Sequence, residues 1–382
     1  MNFQLTDAQL TVQKAAREFV QKYVAPGVLE RDESGTYAQD LYKKMAEAGF
    51  FCLQYDKKYG GQGLDYTTYS LVIAEISKVD SSLAASYSVS NTLFLGGINL
   101  YGTESQKKKY ISAIASGEHI GCFGLTEPNA GSDASYVQTV ARREGDYYVL
   151  NGQKCFITNA KVASYAIVIA KTNPDLPGTK GMSAFIVDTK TPGFELGKLE
   201  NKMGLRSLYV SEIFFKDCKV PVENRLGEEG EGFKVAMKTL DNGRVGIAAQ
   251  GLGLAQGAFE IARDYLNKRE QFGKPLIKNQ HLAFKLVDMS LKIEQAELIL
   301  LKAAWEQDQH LPEFAKTAAK AKLLCTDAAM SVTTDAVQLL GGNGYMKEYH
   351  VERMMRDSKI TQIYEGTNEI QRLIISQGFK QQ

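Results

Sequence analysis

"EGFKVAMKTLDNGRVGIAAQGLGLAQGAFEIARDYLNKREQFG", residues 231–273, contains no proline and keeps one apolar pattern throughout. It predicts a single long helix. Two more helical stretches follow, "NQHLAFKLVDMSLKIEQAELILLKAAWEQDQ" (279–309) and "PEFAKTAAKAKLLCTDAAMSVTTDAVQLLGG" (312–342). Long helices in succession with short breaks predict an up-and-down bundle. Upstream the texture changes. "DYYVLNGQK", "YAIVIAKT", "MSAFIVD" and "SEIFFKDCKV" are short, rich in β-branched and aromatic residues, and separated by Asn-Gly, Pro-Gly and Lys-Gly turn signals. Before them the chain is helical again. Helices, then grouped strands, then helices is an α+β order and not a doubly wound sheet. The expected domains are an N-terminal helical domain (1–120), a small central β-barrel or sandwich (121–225) and a C-terminal four-helix bundle (226–382).

Local signals support these boundaries. Thr6 and Gln9 have capping-box spacing, Val12, Ala15, Ala16, Phe19 and Val20 form a helical stripe, and Pro26 stops it. Thr103 and Gln106 repeat the box, with Gly117 as the stop. "GLGLAQG" (251–257) resembles a nucleotide-binding glycine motif, but no strand precedes it and its last glycine is misplaced. Small residues inside a long helix favour close helix packing instead.

The 382 residues carry 45 basic and 44 acidic side chains, a net charge of +1. With no basic excess, nucleic acid is not expected as a partner. The five cysteines lack any CxxC pair and the four histidines are isolated. Reduced thiols and no metal site are therefore expected. No apolar run reaches the roughly 18 residues that span a bilayer, and the N-terminus has no leader-like pattern. The expected location is the cytoplasm of a bacterium, with a processed mitochondrial matrix form as the alternative.

Four segments carry candidate chemistry. "FGLTEPNAGSDAS" (123–135) crowds Thr126, Asn129, Gly131, Ser132 and Asp133 into a turn whose N–H groups can cradle an anion. An ordinary capped loop is the plainer reading, and Glu127 and Asp133 argue against a bare phosphate. "KCFITNA" (154–160) sets Phe156 and Thr158 at a strand rim, able to face a flat ring and hydrogen-bond it, or simply to end a strand. In "LDNGR" (240–244), Asp241 and Arg244 share a helix face, as an internal ion pair or as ligand contacts. "REQFGKP" (269–275) ends the long helix with either a charge cap or an anion contact. Last, "QIYEGTNEIQR" (362–372) interrupts helical sequence with Glu365-Gly366. Glu365 by itself reads as a solvated turn; Gly366 lets the backbone bend.

Together these segments resemble the acyl-CoA dehydrogenase family, nearest its short-chain, butyryl-type branch. The match runs from "LTDAQL" to "RLIIS", and "GLTEPNAGSDAS" and "QLLGGNGY…RDSKITQIYEGTNEIQR" are its most specific parts. The resemblance implies FAD between the β domain and the C-terminal bundle, in a homotetramer built as a dimer of dimers. It implies that Phe123, Leu125, Thr126, Gly131 and Ser132 line the flavin, with Ser132 also touching acyl-CoA. Phe156 would pack near the isoalloxazine ring and Thr158 would bond its N5 edge. Arg269, Gln271, Phe272, Gln338 and Gly342 would serve the partner subunit's FAD, and Thr367 and Glu369 their own. Asp241 and Arg244 would contact CoA, and Tyr364 and Gly366 would border the thioester.

Glu365 is the implied catalytic base. It would take the α-proton of an acyl-CoA while flavin N5 takes the β-hydride, giving a trans-2-enoyl-CoA; electrons would pass to electron-transfer flavoprotein. The base needs hydrogen-bond reach of the proton, and burial should raise its pKa. Some branches carry the base on the long helix, where this chain has Gly243. "GLRSLYVSE" (204–212) departs from the family by placing Leu208, Tyr209 and Val210 where relatives carry small polar residues, which would alter the local surface. The alternatives are a 2-enoyl-CoA or aryl-acryloyl-CoA reductase driven by a bifurcating flavoprotein, an acyl-CoA oxidase, and a non-catalytic helical binding protein.

Overall fold

Thr6 opens helix α1 (Asp7–Phe19) with the capping box its spacing predicts: Gln9 N donates to Thr6 Oγ1 (3.2 Å) and Thr6 N to Gln9 Oε1 (2.9 Å). The structure, a computed structural model, describes residues 4–379. A wider helical turn at Val20–Val24 carries the chain to Pro26. The N-terminal helices continue as α2 (Val28–Ser34), α3 (Gln39–Glu47), α4 (Tyr66–Ser77), α5 (Ser81–Ser88), α6 (Leu95–Tyr101) and α7 (Glu104–Ala115). Thr103 and Gln106 form the second capping box. Gly117, at φ 73°, turns the chain out of α7. Every residue of α4 and α5 is buried, as expected of helices enclosed on all sides.

The strands are β1 (Gly121–Gly124), β2 (Val140–Glu144), β3 (Tyr147–Thr158), β4 (Tyr165–Lys171), β5 (Met182–Asp188), β6 (Phe194–Leu199), β7 (Val210–Pro221) and β8 (Arg225–Leu226). They form one sheet in the order β6-β7-β3-β2-β4-β5-β8, with β1 joined parallel to β4. Side chains from both ends of that path share one core: Tyr148, Leu150, Ile213 and Phe215 lie with Val168, Phe185 and Val187. The barrel-or-sandwich expectation thus takes the form of a single sheet folded over its own core.

The long helix is α8 (Gly232–Lys268). Glu270–Gln271 (β9) and Lys274–Pro275 (β10) then make a tiny hairpin whose turn residues, Phe272 and Gly273, both have positive φ. Lys268 in the last turn and Arg269 at the C-cap still close α8, and the hairpin follows them. α9 (Gln280–Asp308), α10 (Phe314–Leu340), α11 (Val351–Thr361) and α12 (Asn368–Ser376) follow. α10 is the hub and packs on α8, α9, α11 and α12. The glycines of "GLGLAQG" make close packing possible. A β-carbon at Gly251 would stand 3.0 Å from the Cys325 carbonyl oxygen, and one at Gly257 2.5 Å from that of Lys78.

One expectation needs correction. Leu208 and Val210 of the Leu208-Tyr209-Val210 segment are not surface residues, and Tyr209 is half-buried. Leu208 and Val210 are buried with Ala85 and Leu205, and Ile360 and Tyr364 pack against them. Tyr209 lies against Tyr37, ring centroids 5.3 Å apart. Apolar residues here extend the core in which Tyr364 is seated.

Candidate active site

Helix α11 ends at Thr361, and the N–H groups of Ile363 and Tyr364 both donate to the Ile360 carbonyl. The chain then reverses through two consecutive left-handed residues, Glu365 (φ 52°) and Gly366 (φ 89°). For glycine this conformation is free; for glutamate it costs roughly 1–3 kcal/mol and persists only where neighbours enforce it. The sequence places the bend at Gly366, but the carboxylate residue itself carries half of it. Thr367 caps α12 by accepting from Ile370 N (3.2 Å), and Asn368 N donates to the Gln362 carbonyl (2.9 Å).

The turn presses Glu365 against α8. A β-carbon added to Gly243 would overlap Glu365 Oε2 and stand 2.6 Å from Leu93 Cδ2. Neither carboxylate oxygen reaches solvent or has a hydrogen-bond partner among the described residues. Burial pushes its pKa up to about 8, against the opposing pull of the Lys322 and Arg244 charges. The solvated turn that Glu365 suggests in isolation is therefore a buried carboxylate.

Arg244 donates to Asp241 in a buried ion pair. Burial raises the pKa of Asp241 and lowers that of Arg244, each partly offset by the other. The Nε of Arg244 is buried without a partner among the described residues. The internal ion pair is thus present, and it leaves a donor near Glu365. Tyr364 is held by its hydroxyl, which donates to Gln250 Oε1, while Gln250 Nε2 donates to Ser81 Oγ (2.7 Å) and to its carbonyl (3.2 Å).

On the β side, Phe123 and Leu125 are buried, Thr126 is half-buried, and Gly131 and Ser132 are exposed. Lys154 holds this loop: its ammonium, wholly buried, donates to Glu127 Oε1 (2.7 Å) and to the Leu125 carbonyl (3.0 Å). Glu127 also accepts from the backbone of Gln138 and Thr139. Glu127, which in the sequence argues against anion binding, is therefore neutralised inside the protein. The register of β3 against β7 slips between Lys154 and Ile157, and Phe156 there has φ 57°. This bulge turns the ring outward, leaving it 66% exposed. Thr158 pairs with Val210, whose side chain belongs to the cluster that Tyr364 packs on. The rim of β3 and the Glu365 turn are thereby neighbours.

The remaining site candidates lie elsewhere. Arg269 and Gln271 are exposed, Phe272 is 99% exposed, and Gln338 and Gly342 are exposed. Asn343 Nδ2 donates to Tyr265 Oη (2.8 Å), which puts both groups at one end of the bundle. Gln338 lies about 24 Å along α10 from Lys322, at 1.5 Å per residue. Within one chain these five are not brought to Glu365. Glu369 is exposed on the first turn of α12.

Three residues that support the turn are not among those the sequence motifs single out. Lys322 Nζ donates to the Gly366 carbonyl and to Asn368 Oδ1, both at 2.9 Å. Gln371 Nε2 donates to the carbonyls of Gly366 (2.8 Å) and Glu365 (3.3 Å). Gln250 is the third. Lys322 had a legible signal, since it falls on the apolar face of α10 with Ala318, Cys325 and Ala329.

Three family models match the chain: "Acyl-CoA dehydrogenase, N-terminal domain" over residues 6–118, the "middle domain" over 122–218 and the "C-terminal domain" over 230–380. The chain is 49% identical to the short-chain specific acyl-CoA dehydrogenase of Clostridium acetobutylicum, over 98% of this chain and 99% of that one. It is similar to the solved butyryl-CoA dehydrogenase of Megasphaera elsdenii (47% identity, TM-score 0.97, 99% and 100% of the two chains). A chain solved in work on the electron transferring flavoprotein of Acidaminococcus fermentans and electron bifurcation is also similar (48%, TM-score 0.98, 100% of each).

Proposed function

The chain belongs to the acyl-CoA dehydrogenase family, and from that premise we propose that it converts short-chain acyl-CoA to trans-2-enoyl-CoA, with FAD as cofactor and Glu365 as base. One observation carries the assignment: a carboxylate shielded from solvent, with no hydrogen-bond partner among the described residues, lodged over Gly243. A buried, unpaired carboxylate is costly. That is what a base shaped to meet a substrate carbon acid looks like.

The residues present fit the cofactor. Phe156 offers an exposed ring beside a hydroxyl on Thr158, and a β-carbon at Gly131 would meet only open space. Phe123, Leu125, Thr126, Gly131, Ser132, Phe156 and Thr158 would hold the flavin, together with Thr367 and Glu369. When bound, FAD supplies the acceptor for the β-hydride. Glu365 accepts the α-proton. Its own N–H makes no hydrogen bond among the described residues, so it is left to stabilise the thioester oxygen as charge develops there. Tyr364 and Gly366 border that group, Ser132 contributes to the acyl-CoA contact, and Arg244 and Asp241 serve the CoA moiety.

Arg269, Gln271, Phe272, Gln338 and Gly342 would complete the FAD site of a neighbouring subunit, which explains their distance from Glu365 in one chain. Phe284, Leu291, Leu298 and Trp305 recur every seven residues on α9, each about half exposed. Such a stripe suits helix association and supports a homotetramer. Electron-transfer flavoprotein is the proposed electron acceptor. Among the described residues no helix is long and apolar enough to cross a membrane. Bacterial relatives support a cytoplasmic location.

A second reading rests on the similarity to the chain from the electron-bifurcation work. There the same residues would run the reaction in reverse, with Glu365 protonating the α-carbon of an enoyl-CoA. Anaerobic titration of the FAD-loaded enzyme with butyryl-CoA tests the main assignment. Loss of flavin absorbance is expected from the native protein. Glu365→Gln should keep its FAD and bleach about 10²–10⁴-fold more slowly, the usual share of a general base. Undiminished bleaching would move the base elsewhere.

A further inference from the structure

Lys322 is the buried charge that the proposed mechanism leaves unused. It sits on α10 with its side chain wholly buried. It gives two of its protons to neutral oxygens, the Gly366 carbonyl and Asn368 Oδ1. Among the described residues it takes part in no salt bridge, unlike Lys154, whose ammonium meets Glu127 at 2.7 Å. An ammonium buried without a carboxylate in contact is unfavourable unless something else uses the charge. The negative group that acts on it most strongly is Glu365, whose two oxygens also lack partners. The two charges thus act on each other across the turn, and among the described residues neither has a hydrogen-bonded counterion.

We propose that Lys322 is a positioning residue for Glu365: it anchors the Gly366 carbonyl, holding the strained turn closed, and places a positive charge beside the buried carboxylate. This rests on Glu365 being the base. The anchoring is concrete. Gly366 O accepts from both Lys322 and Gln371, and Glu365 O accepts from Gln371. Both peptide oxygens after the base are therefore tied down. Asn368 in turn donates to Thr326 Oγ1 (3.0 Å) and Asp327 Oδ1 (2.8 Å) on α10. Arg244 and Asp241 on α8, Asp327 on α10 and Glu369 on α12 are the other charges that face the pair. Burial lowers the pKa of Lys322 and the negative charge of Glu365 opposes that shift, so ionising the carboxylate helps keep the ammonium charged.

The test compares Lys322→Gln, Lys322→Met and Lys322→Arg in the FAD-loaded protein, following the rate of flavin bleaching by saturating butyryl-CoA against pH. Removing a nearby cation raises the carboxylate's pKa. The two neutral variants should shift the rising limb of the profile upward by about one pH unit or more, and so lose about tenfold in rate on its acid side. Lys322→Arg should keep the native midpoint. Neutral variants that hold FAD and reproduce the native midpoint would overturn the proposal. If the neutral variants lose FAD, the arginine variant decides, and a shifted midpoint there overturns it. Glu365→Gln runs alongside: if it bleaches at the native rate, the base assignment fails. If it is slowed as expected while Lys322→Gln behaves as native, only the role of Lys322 fails.

Discussion

Glu365 concentrates the chemistry and the strain at one residue. Its φ is 52°, in a turn whose carbonyls Lys322 and Gln371 hold, and burial raises its pKa to about 8. Only the ionised carboxylate accepts a proton, so kcat/KM for butyryl-CoA should rise with pH and level off above about 8; a profile flat from pH 6 to 9 would contradict this. The stability term has the opposite sense. Between the usual carboxylate range and about 8 the folded chain binds a proton that the unfolded chain has lost. The contribution of Glu365 to stability is therefore full in acid and disappears as pH rises through about 8. Denaturant midpoints of the native protein and Glu365→Gln should accordingly diverge, in favour of glutamine, as pH is raised from 6 to 9. Gly243 tests the geometry. A methyl group there would overlap Glu365 Oε2, so Gly243→Ala should retain FAD while losing about 10²-fold in bleaching rate, the expected effect of misplacing a reacting group by an ångström.

At the level of elements, two devices hold the site. The first is the glycine-rich face of α8. A β-carbon at Gly253 would overlap the Ala74 carbonyl oxygen of α4, and backbone cannot yield as a flexible side chain can. Gly253→Ala should destabilise by about 1–3 kcal/mol, visible as a lower Tm with the flavin spectrum unchanged below the transition. The second is the buried pair under the loop before β2. Lys154→Met would strand Glu127 among backbone donors and should cost about 3–5 kcal/mol, with weaker FAD retention on gel filtration. A Tm within a degree of native would refute that role. The α8 glycines and both capping boxes were legible in sequence, because each is a relation among residues close along one helix. The bulge that exposes Phe156 was not, because it depends on how β3 registers with β7.

For the whole molecule, the exposed α9 stripe and the exposed Phe272 hairpin make one expectation. Leu298→Arg, placed in the stripe and away from Glu365, should split the assembly in sedimentation and lower FAD content together. Dissociated subunits that keep full flavin would separate the two. The sequence by itself determined the order of helices, strands and helices, the caps, the packing glycines and the shared helix face of Asp241 and Arg244, since these follow from spacing along the chain. It also pointed to Glu365, through resemblance and through the missing side chain at Gly243. Only the tertiary structure decided that this carboxylate is dry and unpartnered. Only it showed that Lys322 lies beneath the turn and that Leu208 and Val210 are core. Burial and charge proximity are set by segments far apart in sequence: α8, α10 and the Glu365 turn meet only when the bundle closes.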